Sequence, residues 1–162
     1  MMGAMTKTLS LDLTYDAPPA TVTAMLADPA FRERVCDAQH ATSRTVTVTG
    51  IPGRVDIEMV QPTEGVPGFA QKFVGSEVKV GQHETWTSPS AASLDIDAGV
   101  SVARITGSLS LVETGGRTVQ TVRLQIEVKM PLVGGRLESL VADLMTKAFA
   151  KEEAVGREYL AG

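Results

Sequence analysis

Strict alternation of apolar and polar side chains near the start of the chain predicts a β-strand over residues 6–15. Leu9, Leu11, Leu13 and Tyr15 share one face, and the other face carries threonine, serine and aspartate. Further apolar–polar alternation predicts six more strands, over residues 42–49, 54–60, 78–87, 92–98, 102–113 and 117–130. Short turns separate several of them, which is typical of an antiparallel meander, and Gly115-Gly116 is suited to a hairpin turn.

Helical spacing of apolar residues appears in four places. Two short helices are predicted directly after the first strand, over residues 19–27 and 29–38, with Asp28 as the N-cap of the second. A third short helix is predicted over residues 68–75. The fourth pattern covers residues 133–160, which is about 42 Å of helix. Its predicted apolar stripe consists of Val133, Leu137, Leu140, Val141, Leu144, Ala148, Val155 and Tyr159.

This order of elements predicts an α+β fold. The long amphipathic helix needs an apolar partner, and the concave face of a curved antiparallel sheet of about seven strands provides one. We expect one domain over residues 6–162, and we interpret the methionine-rich residues 1–5 as a start-site or expression remnant.

The composition narrows the class of function. A net charge of −4 argues against a nucleic-acid surface and against strong attraction to an anionic membrane. No segment has the roughly 20 apolar residues of a membrane-spanning helix. The chain has one cysteine, Cys36, so it forms no intrachain disulfide, and a cytoplasmic location fits best. The sequence leaves a monomer and a homodimer open.

No pattern of metal-ligating, cofactor-binding or catalytic residues emerges. His40 and His83 are far apart, and no phosphate-binding glycine loop occurs, so we predict neither a metal nor a cofactor. Cys36 and His40 have helical spacing, but no orienting group accompanies them, and a buried structural thiol is the favoured interpretation.

The strand over residues 78–87 contains an unusual acid. Gln82 and Glu84 share a face with Val78, Val80 and Trp86, so Glu84 is predicted to point inward. A buried carboxylate is costly unless it is paired or protonated, which makes Glu84 a candidate polar anchor for a ligand. Two alternatives stay open: a β-bulge that turns Glu84 outward, or an ion pair with an inward lysine or arginine.

Lys151 is the corresponding base, because its helical position falls within the apolar stripe. The favoured interpretation is that its stem packs while its amine reaches solvent. The alternative is a buried pair with Glu84 or Glu58.

The chain resembles the superfamily that contains START domains, polyketide cyclases and the birch-pollen allergen. The resemblance rests on the order of elements and on the segments YDAPPATV at residues 15–22 and LADPAF at residues 26–31. The segments PLVGGRLE at residues 131–138, KEEA at 151–154 and REYL at 157–160 are similar to an actinobacterial branch of unknown function. The resemblance implies a helix-grip fold with an internal pocket for a small apolar molecule such as a lipid or polyketide.

We therefore expect a non-catalytic binding or carrier domain. The expected ligand-binding residues are Met59, Phe69, Phe73, Gln82, Glu84, Trp86, Leu140, Leu144 and Met145. One alternative is a cyclase, dehydratase or aromatase that uses Glu84 as a general acid or base. The other is an interaction module whose pocket is filled by its own side chains.

Overall fold

The protein, described over residues 5–162 by a computed structural model, has the predicted helix-grip architecture. Seven strands form one antiparallel sheet in the order β1-β7-β6-β5-β4-β3-β2. The strands are β1 (Met5–Tyr15), β2 (Ser43–Val48), β3 (Gly53–Pro62), β4 (Glu77–Ser88), β5 (Ala91–Asp97), β6 (Ala103–Thr114) and β7 (Arg117–Val128). The helices are α1 (Pro19–Leu26), α2 (Pro29–Ala38), α3 (Gly68–Gln71) and α4 (Gly134–Ala161).

Local sequence signals account for most of these boundaries. The Asp28 side chain accepts a hydrogen bond from the Ala30 backbone N–H, which is the predicted N-cap of α2. Gly115 and Gly116 have φ values of 60° and 82°, as the two-residue hairpin between β6 and β7 requires. The predicted helix over residues 68–75 is shorter, since α3 ends at Gln71. Of the proposed start-site remnant, Met5 belongs to β1 and pairs with Val128 of β7, whereas residues 1–4 lie outside the described residues.

The long helix α4 differs from the sequence prediction in its orientation. It packs against β1, β7 and α2. Its buried residues are Gly134, Leu137, Glu138, Ala142, Phe149, Glu152, Val155 and Gly156. This face is rotated by about 80° from the predicted apolar stripe, of which only Leu137 and Val155 are buried. Close packing against the sheet selects small side chains, Phe149 and two hydrogen-bonded glutamates there, and most of the predicted stripe faces elsewhere.

The approach of α4 to the first strand depends on a glycine. A Cβ atom on Gly156 would lie 2.5 Å from Tyr15 Cε1 and 3.1 Å from the Tyr15 hydroxyl oxygen. The Tyr15 side chain is fully buried, so it has little room to move away. Gly156 therefore sets how closely the C-terminal half of α4 packs on β1.

We expect Gly156→Ala to lower the free energy of unfolding by about 1–2 kcal/mol, because overpacking against Tyr15 exceeds the gain in helix propensity. Gly68→Ala is the matched control, because a Cβ there meets nothing within 4 Å. Urea denaturation of both variants measures the difference. A Gly156→Ala protein as stable as the wild type would contradict this view of the helix–strand contact.

Candidate functional site

An internal cavity of about 800 Å³ lies between the sheet, α2, the segment that contains α3, and α4. The sheet contributes apolar side chains from β3, β4, β5, β6 and β7, and α4 contributes one continuous apolar strip. The main apolar lining residues are Val35, Ile57, Met59, Phe73, Val78, Val80, Ile96, Val128, Leu137, Leu140, Val141, Leu144, Met145, Ala148 and Phe149. Most of the α4 stripe predicted from the sequence therefore faces this cavity.

Six of the nine residues expected to bind a ligand line this cavity: Met59, Phe73, Gln82, Leu140, Leu144 and Met145. The other three, Phe69, Glu84 and Trp86, lie outside the lining. Phe69 is covered by the Arg136 guanidinium, whose carbon lies 4.0 Å from the ring centroid. Glu84 and Trp86 point inward as predicted, but they lie in the packed core beyond the cavity wall, with exposed fractions of 0% and 2%.

A buried ion pair occupies this part of the core. Arg32 of α2 donates two hydrogen bonds to the Glu84 carboxylate, with nitrogen–oxygen distances of 2.9 and 2.7 Å. Gln82 and the Trp86 indole N–H donate two more, at 2.7 and 2.9 Å. Four donors satisfy the carboxylate, which offsets the cost of its burial. Of the two alternatives for Glu84, the structure contains the ion pair with an arginine, and the β-bulge of β4 lies beyond Trp86.

A second carboxyl group, Glu152 of α4, faces the same arginine. It lines the cavity and is 4% exposed, and one of its oxygens lies 3.9 Å from Arg32 Nη1. Its other oxygen accepts a hydrogen bond of 3.1 Å from the Gln120 side chain. Burial raises the pKa of Glu152 to about 7, a shift that Glu84 reinforces and that Arg32 and Gln120 oppose. Glu152 therefore titrates near neutral pH.

Sequence reasoning missed Arg32 and Glu152 because each is a charged residue on a helix, a type that is usually solvated. A signal was nevertheless present. Arg32 is three and four residues before the buried pair Val35 and Cys36, so it lies on their face of α2. Glu152 is three residues before the buried Val155. An inward acid on a strand predicts a base at such a position.

Two other candidates have ordinary environments. Lys151 is exposed at the cavity lining and forms no ion pair within the described residues, which agrees with the solvent-reaching interpretation. Cys36 is buried, and burial raises the pKa of its thiol to about 11. His40 lies beyond the end of α2 with a φ of 65°, so it does not share a helix face with Cys36.

Neither a metal centre nor a membrane span is found within residues 5–162. No cluster of three or more histidine, cysteine, aspartate or glutamate residues in this range could hold a metal ion. No helix in the same range is long and apolar enough to cross a membrane.

Comparison with known sequences gives a family of unknown function. The profile of a family described as "Protein of unknown function (DUF2505)" matches residues 10–160. Uncharacterized proteins of Mycobacterium tuberculosis and Mycobacterium bovis are 26% identical over 126 residues, which is 70% of this chain and 71% of each relative.

Comparison with solved structures gives the fold. The Zhui aromatase/cyclase from Streptomyces sp. R1128 superposes with a TM-score of 0.67 and 9% identity, over 96% of this chain and 93% of that chain. Norcoclaurine synthase from Thalictrum flavum has a TM-score of 0.67 and 14% identity, over 98% and 88%. The allergen Ara h 8.0201 has a TM-score of 0.65 and 14% identity, over 98% and 100%. These solved structures confirm the predicted fold.

We expect Arg32→Met to lower the free energy of unfolding by about 3–5 kcal/mol, because it leaves the Glu84 carboxylate buried without its cation. Arg44→Met is the control, since Arg44 pairs with Glu33 and Asp37 at the surface, where the loss of an ion pair has little effect on stability. Denaturant titration checks both. The double variant Arg32→Met/Glu84→Leu should recover part of the loss, and a single variant of wild-type stability would contradict the buried pair.

The stability of the fold should depend on the ionisation of Glu152. Its folded pKa of about 7 exceeds its ordinary value of 4.5, so the folded state keeps a proton that the unfolded chain has lost. The proton on Glu152 therefore stabilises the folded state fully below pH 4.5, and this stabilisation is lost as the pH rises to about 7. Glutamine at this position stays neutral at every pH. We therefore expect the free energy of unfolding of Glu152→Gln to rise, relative to that of the wild type, by roughly 2–3 kcal/mol between pH 5 and pH 8.

Urea denaturation at pH 5 and pH 8 measures that relative gain. Glu158→Gln on the same helix is the control, because the Glu158 side chain is 74% exposed and should show almost no pH-dependent difference. Equal pH profiles for Glu152→Gln and the wild type would show that Glu152 titrates as an ordinary carboxyl group.

Proposed function

The chain belongs to the DUF2505 family of proteins of unknown function, and we propose that it binds and carries a small apolar molecule in its internal cavity without transforming it. The fold is a ligand-binding fold. The proposal adds the apolar character of the ligand, the carrier role and the cytoplasmic location that the single buried cysteine favours.

One observation carries this proposal: α4 turns its apolar strip toward an open cavity instead of packing it against the sheet. Leu140, Val141, Met145 and Ala148 on this strip are only half-buried, and Leu144 is 41% exposed. Exposed apolar surface inside a protein costs free energy, which a bound apolar molecule would recover. A cavity of about 800 Å³ lies within the usual size range of small-molecule sites.

The two other functions considered from the sequence have less support. An enzyme that uses Glu84 as its acid or base needs that carboxyl group within reach of the ligand, but Glu84 accepts four hydrogen bonds and lies outside the cavity lining. An interaction module with a filled pocket needs a close-packed interior, which a cavity of this size does not provide.

We expect Ala148→Trp to weaken binding of the neutral fluorescent probe N-phenyl-1-naphthylamine by at least about tenfold, because the indole would occupy the cavity. Ala148 lines the cavity, whereas Ala150, two residues away, is exposed on the other side of α4. Ala150→Trp is therefore the matched control and should bind within about twofold of the wild type. Fluorescence titration measures the affinities.

Native mass spectrometry against a panel of lipids and polyketides supplies the second readout, with one bound molecule per chain as the expected stoichiometry. Equal probe affinity in both tryptophan variants, or no bound molecule from any class, would overturn the proposal.

A further inference from the structure

Arg32 and Glu152 are two buried charged residues in the cavity lining, and Gln82 lies beside them, where it donates to Glu84; we call these three residues the inner polar end of the cavity. The lining has other polar residues, among them Thr63, whose hydroxyl group donates to the Gly75 carbonyl, and the exposed Lys147 and Lys151. We propose that the inner polar end receives an uncharged oxygen acceptor of the ligand, such as a ketone or ester carbonyl, through the protonated carboxyl group of Glu152 and an N–H of Arg32. The inference rests on the proposed function and adds the chemical class of the ligand.

The buried charges of Arg32 and Glu84 already balance without Glu152. Arg32 and Glu84 are 1% and 0% exposed, and together they carry no net charge. The four donors around Glu84 hold it as the ionised carboxylate. Ionised Glu152 would then leave an uncompensated negative charge in the core, where its only close partners among the described residues are Gln120 and an arginine nitrogen 3.9 Å away. Glu152 is therefore the group that holds a proton, and in that form it is a hydrogen-bond donor.

Burial is the largest influence on Glu152, and it outweighs the opposing effects of Arg32 and Gln120. Tyr15 faces it from β1, Arg32 from α2 and Glu84 from β4, while β7 contributes the neutral Gln120. Burial raises the pKa of Glu152 to about 7, and the negative charge of Glu84 acts in the same direction. The lysines that line the cavity, Lys147 and Lys151, are exposed at its solvent side.

Arg32 has more N–H donors than the described residues around it accept. Of the five N–H groups of Arg32, Nε donates to the Leu26 carbonyl at 2.8 Å and one on each Nη donates to Glu84. Two N–H groups remain without an acceptor within hydrogen-bond distance among the described residues. Arg32 lines the cavity, so an oxygen of a bound molecule could accept from it.

The balanced buried charge and the free donors together favour an uncharged inner end of the ligand. A carboxylate placed there would add a buried negative charge beside Glu84, and an amine would add a positive charge beside Arg32. An uncharged acceptor keeps the balance and satisfies the available donors. A carboxylate ligand could bind only with its charged end toward the exposed lysines.

The test compares two probes of equal chain length, decan-2-one and decanoate, by displacement of N-phenyl-1-naphthylamine at pH 6 and pH 8.5. For the wild type we expect the affinity for decan-2-one to fall about fivefold at the higher pH, because Glu152 loses the proton that it donates. Glu152→Gln keeps a neutral donor, so its affinity for decan-2-one should not change with pH. The exposed Glu158→Gln is the control and should behave as the wild type does.

A pH-independent affinity of the wild type for decan-2-one would overturn the inference, as would a pH response that Glu152→Gln retains. The wild-type profile gives this answer even if the variant does not fold. The two proposals fail in different ways. If Ala148→Trp blocks decan-2-one but pH has no effect, only this inference fails. If neither probe displaces the dye from the cavity, the proposed function fails with it.

Discussion

The ion pair between Arg32 and Glu84 is the interaction on which the interior depends. It joins α2 to the middle of the sheet, and Glu152 brings α4 to the same arginine. A buried pair of this kind contributes little net stability compared with well-packed apolar residues, but it strongly penalises any arrangement that separates its members. Its main effect is therefore to specify how the two helices sit on the sheet.

Because of this arrangement, two faces of the long helix have different apolar surroundings. One face, with Phe149 and Gly156, packs closely on β1 and β7, and Gly156 allows contact with the Tyr15 ring. The face about 80° away carries Leu140, Leu144 and Ala148 toward the cavity. Most of the apolar stripe predicted from the sequence thus faces the cavity and not the helix–sheet interface. A helix can have this pattern when the missing partner is a small molecule.

Alternation and cap signals predicted the fold well, since the seven strands and the Asp28 cap come from local rules. They also predicted that Glu84 points inward, because the side-chain period of a strand is fixed. The partner of Glu84 and the polar end of the cavity were not predicted, because Arg32 and Glu152 are distant in sequence and come together only through the packing of α2 and α4. The rotation of α4 was missed for a related reason: the spacing of apolar residues identifies the most apolar face of the helix, whereas the sheet contacts the face with the smallest and best hydrogen-bonded side chains.

The location of a bound apolar molecule is the most direct test of a ligand site in the cavity between the sheet and α4. Nuclear Overhauser effects between decan-2-one and the methyl groups of the protein can be measured in a sample labelled at leucine, valine and methionine. A ligand site in the cavity predicts contacts with Leu140, Leu144 and Met145, which line it, and none with Val112, which is exposed on β6 outside that lining. Contacts confined to exposed methyl groups such as those of Val112, or no contacts at all, would contradict a ligand site inside the grip of the sheet and α4.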